Sequence, residues 1–316
     1  MISKYWEYIR NLFSKPSETA QPKKTSQTAT SYHKEASMKT KALIVGIDEY
    51  QNSAWNLQGC TMDAAIMSGI LQDHYDFPGD TIRLLLNDRA TKANIEKRLD
   101  WLVRDAQAGD VLVFYYAGHG SQVRDRNGDE LEDYMDEILC PHDLNWDDPL
   151  SDDILHSYFQ RVPIGANLTL VFDCCNSGTG TRSLYVPVSP EGEIQGEPEY
   201  KKTRYIKPPI DIGYRSRGIQ LKIRRVGESV IKEDHVLLAA CTSSQEAQEK
   251  HFDGQTRGAF SYYLGRCLKS GDWKITYRQA HEGTRIRLKD HGFIQIPQLE
   301  APLELMDKTI FSSLVQ

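Results

Sequence analysis

Among the six cysteines, Cys60, Cys140, Cys174, Cys175, Cys241 and Cys267, there is no CxxC pair and no Cys/His run with zinc spacing. That argues against a metal knuckle and makes a reduced, cytoplasmic chain the simpler expectation. No stretch approaches the roughly 20 consecutive apolar residues of a membrane span. At the N-terminus, Lys4, Glu7, Arg10 and Asn11 interrupt the apolar core that a signal peptide would need. Neither a GxGxxG nor a Walker-type phosphate loop follows the first strand candidate, which argues against a nucleotide-binding domain. Basic residues are not in excess either: 44 acids face 38 bases, for a net charge of −6. Nucleic-acid binding leaves a basic footprint, so no nucleic-acid partner is expected, and the balance suits basic substrates.

What remains is a composition ordinary for a soluble globular protein, 40% apolar and 26% charged over 316 residues. That is enough for one large α/β domain or two small ones. Ile2, Tyr5, Trp6, Ile9, Leu12 and Phe13 recur at helical spacing, so residues 1–14 predict a short amphipathic helix, able to dock on a partner or membrane surface or on its own domain. From Ser14 to Ser37 the chain turns to Ser, Thr, Gln, Lys and Pro, too polar to order itself. Residues 1–38 therefore read as a helix plus linker or prosegment.

Strands are predicted at Ala42–Ile47, Thr81–Leu86, Val111–Tyr116, Leu168–Phe172 and His235–Ala240, short runs bounded by Gly, Asp or Asn. Between them fall apolar helical faces: Met62/Ala65/Ile66/Gly69/Ile70, Ile95/Leu99/Leu102/Val103, Leu155/Tyr158/Phe159/Val162 and Phe260/Tyr263/Leu264/Cys267/Leu268. Alternation of this kind implies an α/β fold, a mostly parallel central sheet with helices on both faces. The rhythm stops between Thr179 and Glu233, in a segment without a clear element. Residues 39–185 then form a large portion, 186–232 a basic linker, and 233–316 a small portion of the same domain.

Two predicted strands end in reactive blocks. Tyr115-Tyr116-Ala117-Gly118-His119-Gly120-Ser121-Gln122 carries an imidazole between glycines that permit a sharp turn. Val171-Phe172-Asp173-Cys174-Cys175-Asn176-Ser177-Gly178 carries a thiol. Open parallel sheets build their sites at the carboxyl ends of strands. A thiol beside an imidazole is a usable nucleophile at neutral pH. His119 and Cys175 form the candidate dyad, with the backbone N–H groups of Gly120 and Cys175 as donors to an oxyanion.

At these residues the chain resembles the caspase-like peptidases, and within them the metacaspases and their bacterial relatives. Three further blocks carry the resemblance: Leu57-Gln58-Gly59-Cys60-Thr61-Met62-Asp63-Ala64, Ala239-Ala240-Cys241-Thr242-Ser243-Ser244-Gln245-Glu246-Ala247 and Gly258-Ala259-Phe260-Ser261. The resemblance spans about Lys39 to Ala301. It implies a caspase-like fold and cysteine endopeptidase activity with protein or peptide substrates. It also makes Cys175 rather than Cys174 the nucleophile. Asn176 departs from the His usual there, which bears on pocket shape.

The resemblance further implies cleavage after Arg or Lys, with Asp63 and Asp173 as the acids of the basic-residue pocket. Read without it, Asp63 is an acid in a helix's first turn and Asp173 a buried acid bonding loop amides. Seven acids between Asp125 and Glu137 do not make an EF-hand, because Glu130 stands where that loop needs Gly. Metacaspase-like proteins nevertheless bind calcium in this region, and Asp133, Asp136, Asp152 and Asp153 are the matching ligands. Against this, Asp152 or Asp153 can simply cap the helix near Ile154, and Arg182 stands where a further acid is expected. No cofactor is required for the chemistry itself; calcium enters as an activator. The cations Arg215, Arg217, Lys222, Arg224 and Arg225 make the linker a candidate processing site for the enzyme itself or an upstream protease. The competing class is a catalytically silent scaffold that binds protein partners.

Overall fold

The computed structural model describes residues 38–124, 135–175, 202–209, 212, 235–242 and 245–314. The predicted N-terminal helix and linker, and the five linker cations, lie outside these residues. Five apolar runs form the parallel strands β1 (Thr40–Gly46), β2 (Ile82–Leu86), β3 (Val111–Ala117), β7 (Asn167–Asp173) and β9 (Val236–Ala239), within one or two residues of the sequence expectation. β3 is buried at every position, as a strand covered on both faces requires. With the antiparallel edge strand β12 (Gln298–Glu300) the sheet runs β12-β9-β7-β3-β1-β2.

Helix α1 (Cys60–His74) connects β1 to its neighbour β2, and α2 (Lys92–Val103) connects β2 back past β1 to β3, so the two crossovers run in opposite directions along the sheet. Right-handed crossovers therefore put them on opposite faces. α3 (Asp152–Phe159) packs with α2. α4 (Ala259–Ser270) packs with α1 and with α5 (Tyr277–Asp290), whose Thr276/Gln279 capping box fixes its start. A short α6 (Leu303–Met306) closes the chain. Among the described residues no helix is long and apolar enough to cross a membrane.

Two small sheets stand at the carboxyl edge. One is the meander β4 (Gly120–Arg124), β5 (Met135–Leu139) and β6 (Leu150–Ser151). The other joins the hairpin β10 (Gln248–Phe252) and β11 (Gln255–Gly258) to β8 (Lys202–Thr203). β8 corrects the reading of the segment between Thr179 and Glu233 as one without a clear element. Two residues of it are a strand because β10 supplies the antiparallel partner, Thr203 opposite Gln248 and Lys202 opposite Glu249.

Candidate active site

Strand register sets the site. Ala117 on β3 lies opposite Asp173 on β7, so His119 and Cys175 each stand two residues past the same rung. His119 is fixed on several sides. Its N–H donates to the Tyr50 hydroxyl at 2.8 Å, and the Tyr116 hydroxyl donates to its carbonyl at 2.7 Å. A Cβ on Gly118 would come within 2.7 Å of that Tyr116 hydroxyl, so the close approach requires glycine. The His119 ring is held through Nε2, 2.7 Å from the Trp55 carbonyl. A carbonyl only accepts, so Nε2 carries the proton and Nδ1, buried and without a hydrogen-bond partner, keeps its lone pair. Burial, partly opposed by the Trp55 bond, lowers the His119 pKa to about 4.

Cys174 and Cys175 are both buried. The Cys175 thiol accepts the Ala247 N–H at 2.6 Å and also bonds the Cys241 thiol, so its hydrogen-bond contacts are with these groups rather than with His119. Burial first, then the neighbouring Cys241 thiol, pushes the Cys175 pKa well above the ordinary thiol value. Thiol and imidazole are both neutral in this state.

The two N–H groups expected from the sequence as oxyanion donors share one acceptor. The N–H groups of Gly120 and Cys175 both donate to the Arg204 carbonyl, at 3.0 and 3.1 Å. Arg204 comes from the stretch that sequence reading treated as featureless. Its own N–H donates to the Ala247 carbonyl at 3.0 Å, continuing the β8–β10 ladder. The side chain is fully buried. Nη2 lies 2.8 Å from Asp63 Oδ2 and 3.2 Å from Glu249 Oε1; Nη1 lies 3.0 Å from Asp173 Oδ2 and 3.1 Å from the Asp173 carbonyl. Burial opposes the Arg204 charge, but Asp173, Asp63 and Glu249 outweigh it and raise the pKa well above the ordinary value. Burial pushes the Asp173 and Glu249 carboxyls up, and Arg204 pulls them back.

Asp63 and Asp173 thus meet around one guanidinium, the first from the opening turn of α1 and the second from the end of β7. Sequence reading did not single out the rest of this pocket. Glu249 is fixed by the N–H groups of Gln58 and Gly59 at 3.2 and 3.0 Å. Ser261 donates to Asp173 Oδ2 through N–H and hydroxyl at 3.1 and 2.5 Å. Arg257 pairs with the other Asp63 oxygen. Gly258 donates its N–H to Asp63 at 2.7 Å and forms the wall, where a Cβ would lie 2.7 Å from the Arg204 guanidinium carbon. The Gly258-Ala-Phe-Ser261 block was the available signal for two of these residues; Glu249 had none.

The predicted calcium ligands are differently placed. Asp136 is buried on β5, while Asp152 and Asp153 occupy the first turn of α3, behind Ser151 at the N-cap position; neither acid is the cap. The pairing of Ile138 with Ser151 brings the two segments to one corner, but Asp133 lies outside the described residues. Among those residues the potential ligand atoms that converge belong to Asp48, Cys60 and Glu249. That group is accounted for without an ion: Asp48 caps α1 through the N–H groups of Cys60 and Thr61 at 2.8 and 3.0 Å, and Glu249 faces Arg204. Asp136, Asp152 and Asp153 are not among those converging atoms.

Residues 40–183 match the family model of the metacaspase peptidase C14 domain. Metacaspase-2 of Trypanosoma brucei brucei is 32% identical over 283 residues, covering 83% of this chain and 72% of that protein. Metacaspase-1B of Aspergillus fumigatus is 31% identical over 294 residues, covering 84% and 70%. In fold, the chain is similar to the crystal structure of a Geobacter sulfurreducens protein at a TM-score of 0.63 and 24% identity, covering 87% of this chain and 99% of that one. Likeness that extends through both strand-end blocks and most of the length of such relatives leaves one assignment: the chain belongs to the metacaspases, caspase-like cysteine peptidases.

Proposed function

We propose that the protein cleaves after arginine, and less readily after lysine, and that this structure is its zymogen with the Arg204–Tyr205 bond seated as the first substrate. One observation carries the reading. The Arg204 carbonyl accepts from both oxyanion donors while its guanidinium lies among three buried carboxylates.

The chemistry follows from the atoms. Once the Cys175 thiol turns from Ala247 toward His119, Nδ1 accepts its proton and sulfur attacks the Arg204 carbonyl carbon. The oxyanion remains between the Gly120 and Cys175 N–H groups, donors already in place and worth about 3 kcal/mol each in such sites. His119 then protonates the Tyr205 nitrogen as the C–N bond breaks. A water, deprotonated by the same Nδ1, hydrolyses the thioester and frees the Arg204 carboxylate and the thiol. The raised thiol pKa fits this general-base transfer between neutral partners rather than a standing ion pair.

Lysine fits the pocket less well for a geometric reason. Its Nζ reaches about where the guanidinium carbon sits, roughly one C–N bond of 1.3 Å short of both Nη atoms. A single ammonium cannot meet Asp173 and the Asp63–Glu249 pair together.

The test is to incubate wild type and Cys175→Ala, with calcium and with chelator, and to sequence new N-termini. Wild type yields Tyr-Ile-Lys-Pro-Pro, while Cys175→Ala stays intact. The processed enzyme turns over peptides ending in Arg, then Lys, and not Asp. Cuts after Arg215, Arg217, Lys222, Arg224 or Arg225 with Tyr205 still internal would overturn the bond assignment. No cut and no turnover would favour a silent scaffold. The calcium arm reports on Asp133, Asp136, Asp152 and Asp153 as an activating site, on which no step above depends.

A further inference from the structure

Beyond Arg204 the chain does not leave the protein at once. Exposure alternates along the segment: Arg204 is buried, Tyr205 half-buried, Ile206 buried and Lys207 exposed. That is the period of an extended strand laid on a surface, with every second side chain directed inward. The surface is β4. Gly120 bridges to Tyr205 in parallel register. It donates its N–H to the Arg204 carbonyl at 3.0 Å, and its carbonyl accepts the Ile206 N–H at 3.1 Å. The next residue, Ser121, donates its hydroxyl to the Ile206 carbonyl at 2.5 Å. Ser121 is completely buried and the Ile206 side chain is 4% exposed within the core cluster.

Resting on the reading of Arg204–Tyr205 as the bond cut, we propose a second specificity site on β4. It takes an aliphatic side chain two places after the scissile bond, with Ser121 as the residue that fixes the backbone there. The two anchors differ in chemistry. The pocket before the cut demands a cation, whereas the slot after it is apolar and closed to solvent, so a charged side chain enters only by losing its hydration. The Ser121 hydroxyl is satisfied only while a peptide carbonyl is present, since an unmade buried hydrogen bond is costly. Both conditions select for an extended peptide reading Arg, any residue, aliphatic.

The test uses the full chain after self-processing and internally quenched peptides Lys-Thr-Arg-Tyr-Xaa-Lys in which Xaa is Ile, Ala or Asp. Turnover falls about 10-fold from Ile to Ala and about 100-fold from Ile to Asp. In Ser121→Ala the Ile peptide slows about 10-fold and the spread between Ile and Asp narrows. In parallel, Ile206→Val, Ile206→Ala and Ile206→Asp chains are followed for the rate at which the Tyr205 N-terminus appears, with the same order expected. Equal rates across the peptide series, or across the chain series if no peptide is cut, overturn the second site and leave cleavage after Arg standing. No cut in any peptide or chain overturns the reading beneath it.

Discussion

In the pocket, Asp63, Asp173 and Glu249 engage both terminal nitrogens of Arg204, and Ser261, Gly258 and the Gln58–Gly59 amides hold those carboxylates in turn. At the dyad, the Cys175 thiol rests against Ala247 and His119 Nδ1 has no hydrogen-bond partner. The half of the site around the guanidinium is fully paired, while the thiol and imidazole are not paired with each other. The energetics differ in the same sense. Removing one partner of a buried ion pair costs about 3–5 kcal/mol because a charge is left unpaired, whereas turning a thiol about its side-chain bond crosses only staggered wells. If Arg204–Tyr205 is the bond cut, as proposed, such a chain would hold its substrate tightly and control the rate at the sulfur.

If the pocket is the rigid half, it is also where a small change does the most damage. Gly258→Ala puts a methyl group against the guanidinium carbon, beside the Asp173 oxygen. Both the Asp173 and Arg204 sides are walled by buried groups, so the arginine has to withdraw. Self-cutting and turnover of Arg peptides are expected to fall about 100-fold, the scale set by displacing a bound substrate by about 1 Å. Chain cleavage followed by gel and kcat/KM on an Arg peptide measure it. Unchanged rates would mean that the pocket yields and that the contrast with the dyad is false.

Arg204→Lys probes the same half more gently. The charge remains, but one nitrogen replaces a two-pronged fork. The appearance of the Tyr205 N-terminus is expected to slow about 10-fold, about 1.4 kcal/mol in the barrier. Glu249→Gln in the Arg204→Lys background separates charge from shape: if the three-carboxylate arrangement is what favours arginine, the gap between Arg and Lys at this position narrows. Equal rates for the wild-type and Arg204→Lys chains would show a pocket that reads charge alone.

The rigid half was also only partly visible in the sequence. The five parallel strands were legible because their apolar runs are continuous, as burial on both faces demands. His119, Cys175 and Asp173 were legible because they stand at strand ends. Asp63 lies in a helix's first turn, as its reading without the resemblance had it, and pairs with the Arg204 guanidinium. Arg204 and Glu249 were not legible. Arg204 directly follows β8 and Glu249 lies on β10, strands whose pairing joins residues about 45 apart and leaves no apolar periodicity. A two-residue strand has no local signature, since its identity depends on a partner far along the chain. The β4–β5–β6 meander escaped for a related reason, its ladder running through Asp136 and Glu137 in a stretch read for its charge. α5 was missed although Thr276 and Gln279 give it a capping box, because its solvent face is dominated by charged residues.

The smallest expected effect on rate is in pH, and it tests the dyad half. An imidazole of ordinary pKa loses base competence below about 6.5. Burial lowers that of His119 to about 4, so Nδ1 stays free to accept a proton down to that pH. The rate of self-cutting is therefore expected to be flat between pH 5 and 7 in His119 titration, falling only near pH 4. The same shift has a stability consequence of fixed sign. Between pH 6.5 and 4 the unfolded chain binds a proton at this position that the folded chain does not, so stability falls as the pH falls through that window, by about 3 kcal/mol in all. Pre-steady-state cleavage against pH, with unfolding midpoints on Cys175→Ala at the same pH values, gives both. A rate inflection near 6.5 with the stability loss still present would mean that His119 meets solvent before it reacts. The closed structure would then have to open at the dyad, and the sulfur's turn would be one part of a larger movement.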